Sequence, residues 1–427
     1  MLLIKQEIKS LNIATALEGT AVVTAGLFVV NVLSYVLQVI LGRNLSPDDF
    51  GVFTALLSVA VIVSVFSSAV VNSIIKLVSE LKAKGNFEII TRLFWSFSAA
   101  IFLSGLFISF LLIVLRFKIA DYLNISQTDT IAAFAVYLAI SLVSILPSAY
   151  FQGLLRFRAY TVFAVLQAVL RVAVPIALVM FGYRVGGAYV GMGIGLGLSY
   201  LLSLFLLRKS FKVGASGSLA SYYRRFLKIG VGVVLVSLGL VFLNNVDVLL
   251  VKHFFDGSSA GTYAALVTVS KVFLFGAGTV FIVMFPQISE LYAKGVDYTK
   301  PFKNFLLIQL LAIFLGLLIF SFLPAFITQL MFGDKFLAAA VYLPRFSIFI
   351  ALYVLTSFMI MFFLAINKPW VFVLQFISVA CQLVLISFNH DNISNVIDAN
   401  IIAGFILMTL IVLYYAYDVR LGNHTRF

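Results

Sequence analysis

The stretch LGLVFLNNVDVLLVKHFFDGSSAG, residues 238–261, is apolar enough to cross a bilayer but carries Asn244, Asn245 and Asp247 inside its apolar run. A carboxylate at the centre of a span costs about 2.5–3.5 kcal/mol on insertion scales, so such residues usually face a polar cavity or a partner. Because Asn244 and Asp247 are three residues apart, a helix would place them on one face. The next apolar segment carries Lys271 near its middle. We interpret this acid and this base as two sides of a hydrophilic cavity.

The composition of the whole chain indicates a polytopic α-helical membrane protein. Of its 427 residues, 63% are hydrophobic and only 11% are charged, and the mean hydropathy is +1.14. A soluble domain is roughly half apolar and a quarter charged. In so apolar a chain, the net charge of +13 indicates membrane topology and anionic lipids or substrate rather than nucleic acid. One cysteine, Cys381, and three dispersed histidines form no disulfide or zinc pattern, so we expect no metal and no cofactor.

Twelve apolar runs are long enough to span a membrane at a rise of about 1.5 Å per residue. They cover roughly residues 20–41, 51–76, 93–115, 131–152, 160–182, 186–207, 229–251, 260–286, 304–330, 341–365, 370–388 and 396–417. Of the basic residues between them, about 20 lie in one set of loops and about 6 in the opposite set. The positive-inside rule makes the first set cytoplasmic. We therefore expect a multi-pass protein of the cell membrane with both termini in the cytoplasm.

The two halves of the chain resemble each other in a single register. FGVFTAL around Gly51 aligns with AGTYAAL around Gly261, and SELKAKG from Ser79 aligns with SELYAKG from Ser289, each pair 210 residues apart. Six spans per copy give both copies the same orientation, so the repeat is parallel. The sequence thus predicts two six-helix lobes around a central cavity. We assign residues 1–207 to the N-terminal lobe, 208–229 to a cytoplasmic linker and 230–427 to the C-terminal lobe.

Small residues recur on the sixth predicted span. Such residues fit either helices that slide during a conformational change or simple close packing. The sequence leaves both interpretations open. The glycines are Gly186, Gly187, Gly191, Gly193, Gly195 and Gly197.

Two longer stretches resemble a known family. They are VLQVILGRNLSPDDFGVFTALLS, residues 36–58, and NNVDVLLVKHFFDGSSAGTYAALVTVSKVFLF, residues 244–275, which VMFPQISELYAKG follows at residues 283–295. Both resemble the polysaccharide-repeat flippases, of O-antigen and teichoic-acid type, of the multidrug/oligosaccharidyl-lipid/polysaccharide exporter superfamily. The resemblance implies a transporter that flips a polyprenyl-pyrophosphate-linked oligosaccharide from the cytoplasmic to the outer leaflet by alternating access. Its product would serve the assembly of surface polysaccharide.

The expected partners follow from this function. They are the lipid-linked oligosaccharide, membrane lipids, and glycosyltransferases or a polymerase of the same pathway, and we expect the transporter itself to be a monomer. Relatives that carry a lipid-linked peptidoglycan precursor typically have two further spans. The sequence shows no thirteenth or fourteenth span, which counts against that substrate.

Three charged residues inside spans are the strongest candidates for substrate binding. Arg171 lies midway along the fifth span, on one face with Gln167 and Pro175, and would either hold a pyrophosphate with its paired donors or form an ion pair with Asp247. Lys271 would either meet the same head group or bridge to Asp247. Asp247 is in turn either a proton or sodium coupling site or a counter-ion. The excess of positive charge in these spans favours the counter-ion.

Weaker candidates are neutral or peripheral. Asn31, Asn72, Asn244 and Asn245 would either bind sugar hydroxyls or join helices together. Arg345, near the outer end of the tenth span, would act as a gate, contact the sugar, or anchor the helix at the interface.

Two other functions compete with flipping. A cation-coupled drug antiporter of the same superfamily would prefer an acidic cavity, whereas these spans carry more base than acid. A membrane glycosyltransferase or polymerase would need a carboxylate or metal site at the surface, and the loop that holds Asp121 and Asp129 is too short to build one. We therefore expect no enzymatic activity. We also expect transport that does not depend absolutely on a proton or sodium gradient.

Overall fold

The computed structural model describes residues 2–211, 219, 222 and 231–420, and within these ranges it contains helices but no strand. The α-helices are α1 (Leu2–Asn44), α2 (Pro47–Ala83), α3 (Phe87–Val114), α4 (Arg116–Tyr122), α5 (Thr128–Val143), α6 (Leu146–Gly153), α7 (Phe157–Met180), α8 (Arg184–Leu207), α9 (Val231–Leu243), α10 (Val246–Phe254), α11 (Gly257–Ala293), α12 (Thr299–Phe322), α13 (Pro324–Phe332), α14 (Leu343–Ala365), α15 (Phe372–Phe388) and α16 (Ile393–Arg420). Short 3₁₀ segments lie at Arg208–Ser210, Gly333–Val341 and Pro369–Val371.

Twelve segments of the described chain are long and apolar enough to cross a membrane, which confirms the predicted number of spans. The chain is a multi-pass membrane protein. The helices α2 and α11 continue seven residues past their predicted ends, to Ala83 and Ala293. The reason is that SELKA and SELYA are polar but rich in good helix formers, so the helix outlasts the apolar run.

The internal repeat is visible in these same two helices. Each has 37 residues, and their first and last residues lie 210 positions apart. Gly85 and Gly295, also 210 apart, follow the two helices with φ values of 72° and 66°. That left-handed backbone is strained for residues with a Cβ, which explains why both copies carry glycine there. The predicted all-α fold with twelve spans is confirmed, and the matching lengths and ends of α2 and α11 agree with an internal repeat.

The chain divides into two compact units. The first comprises Met1–Leu45 and Phe66–Ile229, and the second comprises Ser46–Val65 and Gly230–Phe427. The predicted lobes, 1–207 and 230–427, stay a prediction. Residues Ser46–Val65, however, belong with the second unit, although the sequence assigned them to the N-terminal lobe. The predicted linker, 208–229, lies mostly outside the described residues.

In the first unit, α7 packs on α1 and α8, and α5 packs on α3 and α8. A Cβ on Gly191 would lie 2.5 Å from the Cα atom of Pro175, and a Cβ on Gly195 would lie 2.6 Å from the carbonyl oxygen of Leu170. These two glycines therefore let α8 lie directly against the backbone of α7. Close packing within one unit accounts for both of them, and sliding is not needed to explain either.

In the second unit, the seventh span is broken. The helix α9 ends at Leu243, and α10 begins only at Val246. Asn244 and Asn245 form the turn between them, so the expectation that Asn244 and Asp247 share one helix face is wrong. The side-chain amide of Gln382, on α15, donates to the freed carbonyl of Leu243 at 3.1 Å. This bond supplies the partner that a broken helix requires at membrane depth.

Candidate functional site

The first unit holds a polar cluster around Arg171 on α7. The guanidinium is half-buried and donates a hydrogen bond to the hydroxyl of Ser34 on α1. Its Nε atom is buried and has no hydrogen-bond partner among the described residues. The Oε1 atom of Gln38, one turn beyond Ser34, is likewise buried without a partner in that part of the chain. Water or a polar ligand group would satisfy both atoms, because buried polar groups are normally hydrogen-bonded.

The charge of Arg171 is not neutralised locally. Within the described ranges, no carboxylate oxygen lies within 4.0 Å of its guanidinium. A permanent positive charge at this depth is costly unless an anion, carbonyl groups or water accompany it. Arginine also presents paired N–H donors that match phosphate oxygens. The cluster is thus chemically suited to an anionic group.

The second unit holds a different cluster around Asp247 on α10, whose exposed fraction is 1%. Its Oδ2 atom accepts hydrogen bonds from the Tyr263 hydroxyl at 2.5 Å and from the Asn400 amide at 3.0 Å. Its Oδ1 atom accepts from the backbone N–H of Val248 at 2.9 Å. Asn400 in turn accepts from Gln382 at 2.8 Å. A network from four helices therefore surrounds one buried carboxylate, and the donors to that carboxylate are neutral.

The side chain of Lys271 makes no direct ion pair with that of Asp247. It is half-buried on α11, about two helical turns beyond Tyr263. Over the described part of the chain, no hydrogen bond and no ion pair within 4.0 Å joins the two side chains. The break at Asn244–Asn245 orients α10 so that Asp247 contacts Tyr263 and Asn400 instead. The two charges still interact through space, so the role of Asp247 as a counter-ion stays a prediction.

Arg345 on α14 is already engaged in an ion pair. Its Nη2 atom lies 2.6 Å and 2.7 Å from the two carboxylate oxygens of Asp398 on α16. Both side chains are partly exposed, at 52% and 35%. The sequence interpretation of Arg345 as a gate, a sugar contact or an anchor did not include this partner. A substrate contact by Arg345 would have to compete with Asp398.

The four asparagines are divided equally between the two units. Asn245 donates to the carbonyl of Val241 at 2.8 Å and so braces the helix break. Asn244 is half-buried in the same turn. Asn31 on α1 and Asn72 on α2 are exposed and belong to the first unit. Their proposed contacts with sugar hydroxyls stay predictions.

Sequence reasoning missed several residues of both clusters. Ser34 and Gln38 were not singled out on the first span, and Tyr263 and Asn400 were not connected with Asp247. The available signal was that each is a polar side chain inside an apolar run. It also missed the pair that Lys252 forms with Asp48 at 2.8 Å, in which Lys252 is 1% exposed. Among the described residues, no group of three or more His, Cys, Asp or Glu side chains is arranged to hold a metal.

Comparison with solved structures identifies the fold. The structure resembles that of the lipid II flippase MurJ in an inward closed conformation, with a TM-score of 0.71 and 15% identity. The alignment covers 92% of this chain and 87% of the MurJ chain. It resembles an inward-facing multidrug resistance MATE transporter of the MOP superfamily over 90% and 94% of the two chains, with a TM-score of 0.67 and 13% identity. A mutant of the Vibrio cholerae MATE transporter VcmN aligns over 96% and 97%, with a TM-score of 0.58 and 14% identity.

Comparison of sequences identifies the family. A search of curated proteins gives no significant match. The family model described as "Polysaccharide biosynthesis protein" matches residues 16–292, which is more than half of the chain. The fold is that of the MOP superfamily transporters, and the chain belongs to the polysaccharide biosynthesis protein family.

Proposed function

We propose that this protein is a flippase that moves a polyprenyl-pyrophosphate-linked oligosaccharide from the cytoplasmic to the outer leaflet of the cell membrane by alternating access. Its family links it to polysaccharide biosynthesis, and its fold is shared with a lipid II flippase. The exported glycan would enter surface polysaccharide of the O-antigen type. Glycosyltransferases or a polymerase of the same pathway would supply or consume it.

The observation that carries the proposal is the state of Arg171. Its guanidinium sits in a span with a hydroxyl partner, an unsatisfied Nε donor and no carboxylate within 4.0 Å in the described chain. A pyrophosphate would supply the missing negative charge and acceptor atoms together. The proposal rests on Arg171 and the residues of its own unit. This uncompensated positive charge suits an anionic head group better than the cationic substrates expected of an antiporter.

Substitution of Arg171 tests the proposal. We expect Arg171→Ala to slow the flipping of labelled lipid-linked oligosaccharide in proteoliposomes by roughly ten- to hundredfold, since a hydrogen bond to a charged group contributes about 1.5–3 kcal/mol. Arg171→Lys keeps the charge but loses the paired donors, so an intermediate rate is expected. Surface glycan in cells should fall in parallel, while the amount of protein in the membrane stays normal.

The matched control is Arg116→Ala, which also removes a cation from the first unit. Arg116 lies outside the cluster and is partly exposed, 4.0 Å from Asp129. Its substitution should leave the flipping rate unchanged. Normal flipping by Arg171→Ala, or an equal loss in both variants, would contradict the proposal.

The second candidate function is a cation-coupled antiporter, and the buried Asp247 favours it. A carboxylate at membrane depth with only neutral donors around it suits a site that exchanges a proton or a sodium ion. The same proteoliposomes discriminate between the two functions when both gradients are clamped. Flipping that persists without either gradient favours the first candidate. Efflux of a cationic dye that stops under the clamp favours the second.

A further inference from the structure

The first unit contains an apolar cavity that neither polar cluster uses. It has a volume of about 520 Å³ and lies among α3, α5 and α8. This volume falls within the range of about 300–1,000 Å³ that is typical of small-molecule sites. The Arg171 cluster is built instead on α1 and α7. The walls include Trp95, Phe102, Ile140, Val143, Gly197 and Leu201.

The cavity opens at the surface of the chain. Trp95 and Leu201 on its walls are 50% and 62% exposed. At Gly197 an added Cβ would meet no heavy atom within 4 Å, so the missing side chain of this residue contributes to the open space. All three wall helices are membrane spans. We therefore expect lipid hydrocarbon to meet this opening.

The two hydroxyl groups that line the cavity form a hydrogen bond with each other. The hydroxyl of Tyr200 on α8 donates to the Oγ atom of Ser98 on α3 at 2.9 Å. A polar ligand would have to break this bond to gain a contact of its own. An apolar chain loses nothing by lying against it. The interior thus selects a hydrocarbon.

Basic residues lie beside one end of the cavity. Arg92 precedes the wall residue Ala99 by seven positions on α3, and Arg208 follows Leu201 by seven at the end of α8. Seven helical residues rise about 10.5 Å and return to nearly the same face. The guanidinium of Arg208 lies 3.8 Å above the ring of Phe205, which holds it against the apolar surface. Both arginines lie at the end that the loop charges predict to be cytoplasmic.

We propose that this cavity binds one acyl chain of an anionic glycerophospholipid of the cytoplasmic leaflet, with the lipid phosphate near Arg208. The apolar walls accept the chain, and the guanidinium of Arg208 attracts the anionic head group. The site is separate from the cluster proposed for the transported substrate. A second copy of this chain is a poorer occupant, because it would bring its own basic loops against Arg208.

The two tryptophans of the chain allow a direct test. Trp95 lines the cavity, and Trp370→Phe leaves Trp95 as the only indole. This variant is reconstituted in nanodiscs of phosphatidylcholine that contain a small fraction of lipid with a brominated acyl chain. We expect brominated phosphatidylglycerol to quench Trp95 with about fivefold higher apparent affinity than brominated phosphatidylcholine. A ratio of this size is what the attraction between one interfacial cation and an anionic lipid provides.

Two pairs of variants in the same background separate the chain site from the head-group site. Gly197→Leu should fill the cavity and abolish the preferential quenching. Gly276→Leu should preserve it, because Gly276 on α11 also has open space around its Cβ position but lies outside the cavity. Arg208→Gln should lower the affinity for phosphatidylglycerol without changing quenching by phosphatidylcholine. Lys300→Gln removes an exposed cation elsewhere and should have no effect.

Several results would overturn the proposal. One is equal quenching by the two brominated lipids in the Trp370→Phe parent. Another is quenching that Gly197→Leu leaves intact. Preferential quenching by a brominated prenyl phosphate would assign the cavity to the tail of the transported substrate. Absence of quenching by every lipid, together with cross-linking between copies at Leu201→Cys, would assign it to a second copy of the chain.

Discussion

Three charged residues inside the helices are accommodated in three different ways. Asp247 is surrounded by neutral donors, and Lys252 is buried against the carboxylate of Asp48 at 2.8 Å. Arg171 has only a hydroxyl and keeps a buried donor without a partner in the described chain. A buried charge is stable only when it is paired or well hydrogen-bonded. Of the three, Arg171 is therefore the one whose environment an anionic ligand would complete.

Asp256, just outside the membrane-spanning part of α11, provides a test of charge at a helix terminus. Its Oδ1 atom accepts from the backbone N–H groups of Ser258 and Ser259 at 2.9 Å and 3.0 Å. Hydrogen bonds from the side chain and backbone of Ser259 lower the pKa of this carboxyl below its usual 3.8. A lowered pKa means that the carboxylate stabilises the fold above pH 3.8 and loses this effect as the pH falls through the folded-state value.

We expect Asp256→Asn to lower the stability by about 0.3–1 kcal/mol at pH 7, because the amide keeps the cap but loses the charge at the helix N-terminus. Asp256→Ala should cost about 1 kcal/mol, since it loses the cap as well. Thermal unfolding of the detergent-solubilised protein, followed by fluorescence from pH 7 down to pH 3, measures both. The difference in stability between the unsubstituted protein and Asp256→Asn should shrink in acid, and a difference that is constant with pH would contradict the assignment.

At the level of elements, two spans are broken and both breaks are repaired in the same way. The helix α5 ends at Val143 and α6 begins at Leu146, and the amide of Gln167 donates to the freed carbonyl of Ser144 at 3.3 Å. In the second unit, the side-chain amide of Gln382 donates a hydrogen bond to the carbonyl of Leu243 at the end of α9. Backbone groups released inside a membrane need a partner from the protein. A glutamine on a neighbouring helix provides it in each unit.

The glycines of α8 provide a prediction about helix packing. A Cβ on Gly191 would meet the backbone of Pro175 at 2.5 Å, whereas a Cβ on Gly197 would meet nothing within 4 Å. We expect Gly191→Ala to destabilise the protein by about 1–3 kcal/mol through overpacking. Gly197→Ala, its control on the same helix, should be neutral or stabilising by up to about 1 kcal/mol. Thermal unfolding in detergent measures both, and equal effects would refute the packing argument.

For the whole molecule, the distribution of basic residues defines an orientation that can be measured. Lys84 and Lys300 belong to the basic-rich set of loops, and Lys118 and Lys335 to the opposite set; all four are exposed. In a Cys381→Ser background, each is replaced by cysteine and intact cells are treated with a membrane-impermeant maleimide. We expect labelling of Lys118→Cys and Lys335→Cys only, since the positive-inside rule keeps the other two in the cytoplasm. The reverse pattern would invert the orientation.

The sequence by itself determined the class of fold, the number of spans and the repeat. Hydropathy and short motifs are local properties, so segments as far apart as the two 37-residue helices could be recognised and aligned without knowing what they touch. The resemblance to polysaccharide-repeat flippases came from such motifs as well, and the family match agrees with it.

Only the tertiary structure decided which polar residues meet. Asp247 and Asn400 are 153 positions apart in the sequence, and Asp48 and Lys252 are 204 positions apart. No local sequence pattern connects the members of either pair. The assignment of Ser46–Val65 to the second unit likewise follows from packing, although α2 is continuous in the chain. The physical reason is that a span's apolar surface specifies that it lies in the membrane but not which neighbour it contacts, because lipid and protein interiors are similarly apolar.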